Sequence, residues 1–404
     1  SAVKIVSSAE NFPFGETVYD ASTHLQGIVK MDPHNAGRFL VAYYDADDGW
    51  KGKVLVGQIT GTSVTFGTAG EWEWTGSDAY SVKSLAWDPI NPNSFVVLHQ
   101  KWGQIGLVSI GTVAGNTVTF GAPQEGLGNA NGPSTIEYNP SVSGQIILLY
   151  VDFGQAKIRV ATISGQGSPG ASIAFGTAVQ SGGDASYNKI HIKFDPHTPN
   201  RAVITYLNTL KIITISGTNV TLYSDLSNDP SGGYGHVEWD QTVTNRFYMF
   251  FKESNAPKIQ AIDVNGNNTL SKIVMNQIVG GVTQLGVALG QMEGSGTTNY
   301  SFAFNPFNPG EFIAQYTQST PSMSYFVKGT ITDVNGVPHI TSESPVAFGT
   351  NYSNTMDGPH FDYVKAGQWV TGYQSSGNSN FGTVAVGQLG SPPVENLTSS
   401  NFIG

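Results

Sequence analysis

Residues 28–44, IVKMDPHNAGRFLVAYY, hold the pattern that decides the fold. A short run with alternating apolar side chains ends at Asp32 and Pro33, and a second hydrophobic run begins after Gly37. Alternation predicts a β-strand, and Asp-Pro starts a turn because the carboxylate can cap backbone N–H groups. The stretch therefore predicts a β-hairpin that turns at Asp32.

The same hairpin returns along the whole chain, each time with Asp or Asn at the turn. These anchor residues, 45 to 65 positions apart, are Asp32, Asp88, Asn139, Asp195, Asp240, Asn305 and Asp362. A third strand follows each hairpin, as in GKVLVGQIT, and then an outer strand of the VTFGT type. The clearest outer strands end at Phe66, Phe120, Phe175 and Phe348. Four antiparallel strands repeated at this spacing describe a β-propeller blade.

The seventh unit lacks an outer strand of its own, because only QWVTGYQ and GTVAVGQLG follow Asp362 before a Pro-Pro break. A further strand, residues 3–20, precedes the first anchor. We expect it to complete the last blade, since closing the ring removes the open sheet edges. The sequence thus predicts an all-β, seven-bladed β-propeller as one domain over residues 1–390. We expect the tail, residues 391–404, to lead to a further region that is removed or absent.

Two β-sandwich domains or a β-helix are the alternatives to the propeller. Sandwiches would require a linker near the middle of the chain, and none is visible. A β-helix has a shorter repeat.

Composition excludes several classes of function. The chain has a net charge of −10 and scattered Lys and Arg, so the clustered positive charge that nucleic acids require is missing. No apolar run is long enough for a transmembrane helix. Without Cys there are no disulfides, thiol nucleophiles or Cys-ligated metals. We expect no cofactor.

The repeat resembles that of virion proteins of tailed bacteriophages, especially marine phages and cyanophages. The matching segments are residues 64–68, 118–122, 173–177 and 346–350, together with 53–60 and 382–390. The tail SPPVENLTSSNFIG is similar to the segment that follows such arrays in phage structural and tail-fibre proteins. The resemblance implies a virion location and a structural or adhesin role, and it carries over no catalytic residue.

Two groups of residues could bind a metal or carry out acid–base chemistry. Asp45, Asp47 and Asp48 precede a Gly as in a Ca²⁺ loop, but the closing Glu is absent, which favours a solvated hairpin turn. The recurring anchor aspartates could supply a glycosidase carboxylate pair. Their recurrence at one position of the blade favours turn capping instead. The eight His show no ligand spacing.

Aromatic residues in predicted loops give the one signal for a ligand face. These candidates are Trp50, Trp72, Trp74, Tyr80 and Trp102. Sugars stack on exposed aromatic rings, so such loops suit carbohydrate binding, although aromatics also pack between blades.

The leading hypothesis is a non-enzymatic virion protein, with the propeller displayed on a phage capsid or tail. Its partners would be other virion subunits or a host-surface glycan. The alternatives are a secreted, extracellular carbohydrate-binding lectin and a propeller glycoside hydrolase with its active site at the central channel. A lectin should repeat its ligand residues in every blade, whereas a hydrolase needs convergent acid groups at the channel.

Overall fold

Seven four-stranded antiparallel blades surround a central channel in the computed structural model of this protein. The structure describes residues 4–5, 13–23, 27–45, 47–72, 81–100, 105–129, 132, 134–168, 170–184, 190–206, 209–223, 226, 235–253, 256–279, 282–284, 290–291, 297–319, 322–348, 356–375 and 381–390. No helix capable of crossing a bilayer occurs in this part of the chain. The predicted all-β, seven-bladed architecture is confirmed.

The strands run in chain order through the blades. The N-terminal segment and blades 1 and 2 contain β1 (Lys4–Ile5), β2 (Phe14–Thr23), β3 (Ile28–Met31), β4 (Arg38–Asp45), β5 (Lys51–Thr60), β6 (Ser63–Phe66), β7 (Gly70–Glu71), β8 (Ser81–Trp87), β9 (Ser94–Gln100), β10 (Ile105–Ala114), β11 (Thr117–Phe120) and β12 (Gln124–Asn129). Blades 3 and 4 contain β13 (Ser134–Tyr138), β14 (Gln145–Asp152), β15 (Gln155–Ser164), β16 (Ser172–Phe175), β17 (Val179–Asp184), β18 (His191–Phe194), β19 (Arg201–Tyr206), β20 (Thr209–Ser216) and β21 (Asn219–Leu222).

The remaining strands form blades 5 to 7. They are β22 (His236–Trp239), β23 (Arg246–Glu253), β24 (Ala256–Val264), β25 (Leu270–Ile273), β26 (Asn276–Val279), β27 (Val282–Gln284), β28 (Gly290–Gln291), β29 (Thr297–Phe304), β30 (Glu311–Ser319), β31 (Ser322–Val334), β32 (Val337–Ser342), β33 (Val346–Phe348), β34 (Met356–Phe361), β35 (Gln368–Ser375) and β36 (Phe381–Gln388). The first strand of each blade, the inner strand, contacts the inner strands of both neighbouring blades, so the seven close into a ring.

The outer strand is broken in most blades. In blade 1, β6 pairs with one end of β5 and β7 pairs with the other end. The VTFGT segments of blades 1 to 3 form the first of these two pieces. In blade 6 the corresponding segment forms the second piece instead, because Phe348 pairs with Ser324 whereas Ser342 pairs with Gly329. The Phe348 copy therefore differs in position from the Phe66 copy.

The N-terminal strand closes the ring as the sequence predicted. Strand β2 pairs antiparallel with β36, from Phe14 opposite Gly387 to Thr23 opposite Phe381. Phe14 is buried and its ring packs edge-on against Phe326 of blade 6, with centroids 5.7 Å apart. Blade 7 is thus built from both ends of the propeller.

The anchor side chains cap the turn that follows each inner strand. Asp32 Oδ1 accepts the backbone N–H of His34 at 2.8 Å, and Asp195 Oδ1 accepts that of His197 at 2.8 Å. The other anchors do the same: Asp88 with Ile90, Asn139 with Ser141, Asp240 with Thr242, Asn305 with Phe307 and Asp362 with Val364. The structural role predicted for the recurring acids is confirmed.

In four blades the residue six positions after the anchor complements the chemistry of that anchor. The buried carboxylates of Asp32 and Asp195 pair with Arg38 and Arg201. Where the anchor is Asn, its amide instead donates to an acceptor, with Asn139 Nδ2 2.5 Å from Gln145 Oε1 and Asn305 Nδ2 2.6 Å from Glu311 Oε2. A buried polar group costs stability unless it has a partner, which explains this matching.

Both arginines, Arg38 and Arg201, also join neighbouring blades. Arg38 of blade 1 donates to Asn93 Oδ1 of blade 2 at 2.6 Å and lies 5.4 Å from the ring centroid of Trp87. Arg201 of blade 4 repeats both contacts in blade 5, with Asn245 and Trp239. In turn, each tryptophan Nε1–H donates to a backbone carbonyl of the preceding inner strand, which fixes the spacing of the two inner strands.

Candidate functional site

The aromatic residues predicted to form a ligand face do not form one cluster. Trp50 is 37% exposed, in the turn between β4 and β5, with a φ of 63°. Trp72 is buried, packed against Tyr44, His99 and Phe120, and its ring offers no open face to a sugar. Trp74, Tyr80 and Trp102 lie outside the described residues.

The acidic turn at residues 45–48 is neutralised by lysines. Asp45 Oδ1 caps the backbone N–H groups of Asp47 and Asp48, each at 3.1 Å. Lys53 Nζ lies 2.8 Å from Asp45 Oδ2 and 2.7 Å from Asp48 Oδ2, and Lys51 also pairs with Asp48. Hydrogen bonds from these two lysines lower the pKa of Asp48. No group of His, Asp and Glu in the described ranges is arranged to hold a metal ion.

A different set of side chains converges at the centre of the propeller. The residues two positions before the anchors occupy equivalent register positions on the inner strands, each paired with the second strand of its blade in the same way. We call this set the channel ring; in blade order it is Lys30, Ala86, Glu137, Lys193, Glu238, Ala303 and His360. Unlike the anchors, the ring changes from blade to blade.

Two histidines lie one step along the channel from this ring. His191 and His236 begin the inner strands of blades 4 and 5, and their rings meet edge to face with centroids 4.7 Å apart. In blade 6, the ring of Phe302 packs edge-on against His236 at 5.8 Å. The imidazole of His236 is thus held between the inner strands of its neighbours.

Blades 4 and 5 also contribute an ion pair at the channel ring. Lys193 Nζ is 2.8 Å from Glu238 Oε1, and the same oxygen is 3.8 Å from His236 Nδ1. The side chains of His236 and Glu238 are 14% and 12% exposed, and that of Lys193 is 34% exposed. The three groups therefore combine close packing with access from the channel.

The surroundings set the protonation of these groups. Burial lowers the pKa of His236 well below its usual value, and the charges of nearby groups, including Lys193 and Lys30, act in the same direction. Burial opposes a charge on Lys193, but Glu238 and other neighbours outweigh it and the pKa of Lys193 is raised. A neutral imidazole and an ammonium therefore lie side by side at neutral pH.

This arrangement can do general-base chemistry. A neutral imidazole accepts a proton from water, and a carboxylate beside its other nitrogen stabilises the imidazolium that forms. Such contacts are often long in the absence of a substrate and tighten when one binds, so the 3.8 Å separation of His236 and Glu238 is compatible with this role. An adjacent ammonium can stabilise negative charge that develops on a substrate oxygen.

Reasoning from sequence missed this site although a signal was present. The inner strands IVKMD, IEYN, HIKFD and HVEWD align on their anchors, and the aligned position before the last apolar residue is a charged Lys or Glu. Reading the positions that vary, rather than those that recur, would have singled out Lys30, Glu137, Lys193 and Glu238.

Comparison with known proteins supports the propeller fold but assigns the chain to no family. No family model and no curated protein matches the chain. The putative 6-phosphogluconolactonase of Bacteroides uniformis has a TM-score of 0.56 at 12% identity, covering 83% of this chain and 92% of that chain. The periplasmic gluconolactonase of Pseudomonas aeruginosa has a TM-score of 0.50 at 12% identity, covering 92% and 98%. A chain of the COPII outer coat vertex has a TM-score of 0.54 at 10% identity, covering 93% and 86%.

These comparisons correct two predictions made from the sequence. Of the three structures, one is a gluconolactonase, one is described as a putative 6-phosphogluconolactonase and none is a virion protein, so the prediction of a non-enzymatic, virion-associated structural or adhesin protein is wrong. At such low identity the likeness shows the fold alone and assigns no substrate to this chain. A new functional hypothesis therefore has to come from the residues of the channel.

Proposed function

We propose that this propeller is a hydrolase that opens a lactone or a related carboxylic ester in its central channel. The observation that carries the proposal is the position of Glu238 between His236 and Lys193, in which one carboxylate oxygen lies 3.8 Å from a neutral imidazole and 2.8 Å from an ammonium. The lactonase names of two structural neighbours suggest the class of ester to try first.

The proposed reaction uses water as the nucleophile. His236 takes a proton from water as its oxygen bonds to the carbonyl carbon, and Glu238 stabilises the resulting imidazolium. Lys193 stabilises the negative charge on the carbonyl oxygen of the tetrahedral intermediate. The intermediate collapses, the ring C–O bond breaks, and the imidazolium returns the proton to the departing alkoxide. The product is the hydroxy acid.

The test is hydrolysis of δ-gluconolactone and a panel of other lactones, followed by acid release with a pH indicator. We expect His236→Gln to lower the rate about 10²- to 10⁴-fold, the usual contribution of a general base. His339→Gln is the matched control, because His339 lies on the outer strand β32 of blade 6, away from the inner strand, and contacts Asn276 of β26. Wild-type rates in His236→Gln, or no turnover of any lactone by the wild type, would contradict the proposal.

A further inference from the structure

The charge inside the propeller differs from the charge of the whole protein. The chain carries 19 Lys and Arg against 29 Asp and Glu, a net charge of −10. The inner strands nevertheless bring Lys30, Lys193 and the imidazoles of His191 and His360 close enough to His236 to act on its charge. Lys30 and Lys193 are balanced in the channel ring by Glu137 and Glu238, so the ring has no net charge, and a site for an anion depends on where each lysine lies relative to the two carboxylates.

The two lysines of the channel ring have different neighbours. Lys193 lies between Glu137 and Glu238, both of which act on its charge, and it forms an ion pair with Glu238. Lys30 instead has Ala86 and His360 beside it in the ring. Among the described residues no carboxylate lies within 4.0 Å of the Lys30 ammonium. One arc of the ring is therefore compensated internally, while the other offers a positive charge.

Lys30 also acts electrostatically on the proposed catalytic pair. Its charge lowers the pKa of His236 and acts on Glu238 in the opposite wall. Its backbone is held in place, because Trp87 Nε1 of blade 2 donates to the Lys30 carbonyl at 3.0 Å.

We infer that the substrate carries a carboxylate or phosphate group and that Lys30 binds this group through its ammonium, with His360 alongside. That the bound molecule is a substrate rests on the proposed function. The anion site itself rests on the charges and positions of the channel residues. Lys30 would be a specificity-determining residue. It would orient the ester carbonyl towards His236 by holding the anionic end of the molecule across the channel.

The experiment measures binding directly by calorimetry, without turnover. The probes are gluconate, its uncharged counterpart glucitol, and inorganic phosphate, so that the carboxylate and phosphate sources are told apart. We expect the wild type to bind gluconate or phosphate and to bind glucitol at least 10-fold more weakly. Lys30→Met should weaken anion binding about 10- to 100-fold, as for loss of one charged hydrogen bond, while Lys30→Arg should retain most of it.

Lys272→Met is the control, because Lys272 is exposed on the outer strand β25. Its anion affinity should equal that of the wild type. Melting temperatures of all variants establish that loss of binding is not loss of folding. Equal affinity of Lys30→Met and wild type, equal binding of glucitol and gluconate, or no binding of either anion would overturn the inference.

Binding and hydrolysis separate the two proposals. Anion binding that depends on Lys30, with no turnover of any lactone, would retain the anion site and overturn the hydrolase. Hydrolysis of lactones that carry a carboxylate or phosphate group at the same rate in wild type and Lys30→Met would retain the hydrolase and overturn the anion site.

Discussion

Two positions on every inner strand, separated by a single residue, behave in opposite ways. The anchor is Asp or Asn in all seven blades, and in each blade it caps the same turn. The channel-ring position is Lys, Ala, Glu, Lys, Glu, Ala and His around the same ring. The shared position therefore builds the propeller, whereas the varied position is available for chemistry. Changes at the shared features should therefore cost stability, and changes at the varied position should cost ligand binding or catalysis.

The largest loss of stability is expected from removing β2, the strand that completes blade 7. Deletion of residues 1–23 takes away β2, leaves β36 as an open edge and removes Phe14 from its contact with Phe326. Loss of one such buried aromatic alone costs about 3–5 kcal/mol, and an exposed edge promotes aggregation. We expect aggregation or the loss of cooperative unfolding, measured by size-exclusion chromatography and calorimetry.

Deletion of residues 1–12 is the matched control for the seam. It removes β1, which among the described strands pairs with β2 alone, and leaves the pairing of β2 with β36 intact. This shorter deletion should change the melting temperature little. A soluble deletion of residues 1–23 with the same melting temperature as the wild type would refute the role of β2 in closure.

The next largest effect concerns the anchor of blade 1. Asp32→Ala removes the carboxylate that pairs with Arg38, whose side chain is only 11% exposed, and leaves that charge without its acid. Breaking a buried pair from one side costs about 3–5 kcal/mol. We expect chemical denaturation to show a loss of this size in the free energy of unfolding.

Asp88→Ala separates capping from charge pairing. Asp88 caps the N–H groups of Ile90 and Asn91 at 2.9 Å, but Ser94 stands where blade 1 has its arginine. Loss of the cap alone should cost about 1–2 kcal/mol. Equal losses in Asp32→Ala and Asp88→Ala would show that the Arg38 pair adds nothing to stability.

The fold could be predicted from sequence because its signals are local and repeated. Alternation, the Asp-Pro turn and the missing outer strand after Asp362 each follow from neighbouring residues. The break in the outer strands and the shifted place of Phe348 could not be predicted, since they depend on how β33 packs onto β31. Trp72 was assigned to a loop although it lies in the core, because an aromatic next to a turn has the same sequence signature in either place.

The site was harder to predict because its parts are distant in sequence. Lys193 and Glu238 meet at 2.8 Å although they lie 45 residues apart, and His191 meets His236 across the same pair of blades. No spacing rule for metal or nucleophile motifs applies to such a pair, because ring closure rather than local geometry brings it together. Only the alignment of strands on their anchors makes the pattern visible.

The pH dependence of stability compares a histidine of the core, His99, with a histidine of the channel, His236. Burial lowers the pKa of His99 to about 3, where its Nε2 lies 2.8 Å from Ser109 Oγ and its ring packs against Trp72. Below about pH 6.5 the unfolded chain takes up a proton that the folded core resists, so stability falls as the pH drops towards 3. We expect His99 to contribute up to about 1.4 kcal/mol per pH unit to this fall, measured by denaturation between pH 4 and 7.

His99→Gln should flatten part of this dependence, because the amide can still contact Ser109 and does not titrate in this range. His236→Gln should act in the same direction, since the pKa of His236 is also lowered. An unchanged slope in both variants would mean that the acid sensitivity comes from other groups.

The smallest change in stability is expected at the channel ring, two residues before Asp32. Lys30 is half-buried and has no ion pair within 4.0 Å among the described residues, so Lys30→Gln leaves no carboxylate without its partner. We expect the free energy of unfolding to change by no more than about 0.5 kcal/mol, as at an ordinary surface position, in the same denaturation assay as Asp32→Ala. A loss as large as that of Asp32→Ala would place Lys30 among the residues that hold the blades together, and the division of roles between the anchor and the channel ring would then fail in blade 1.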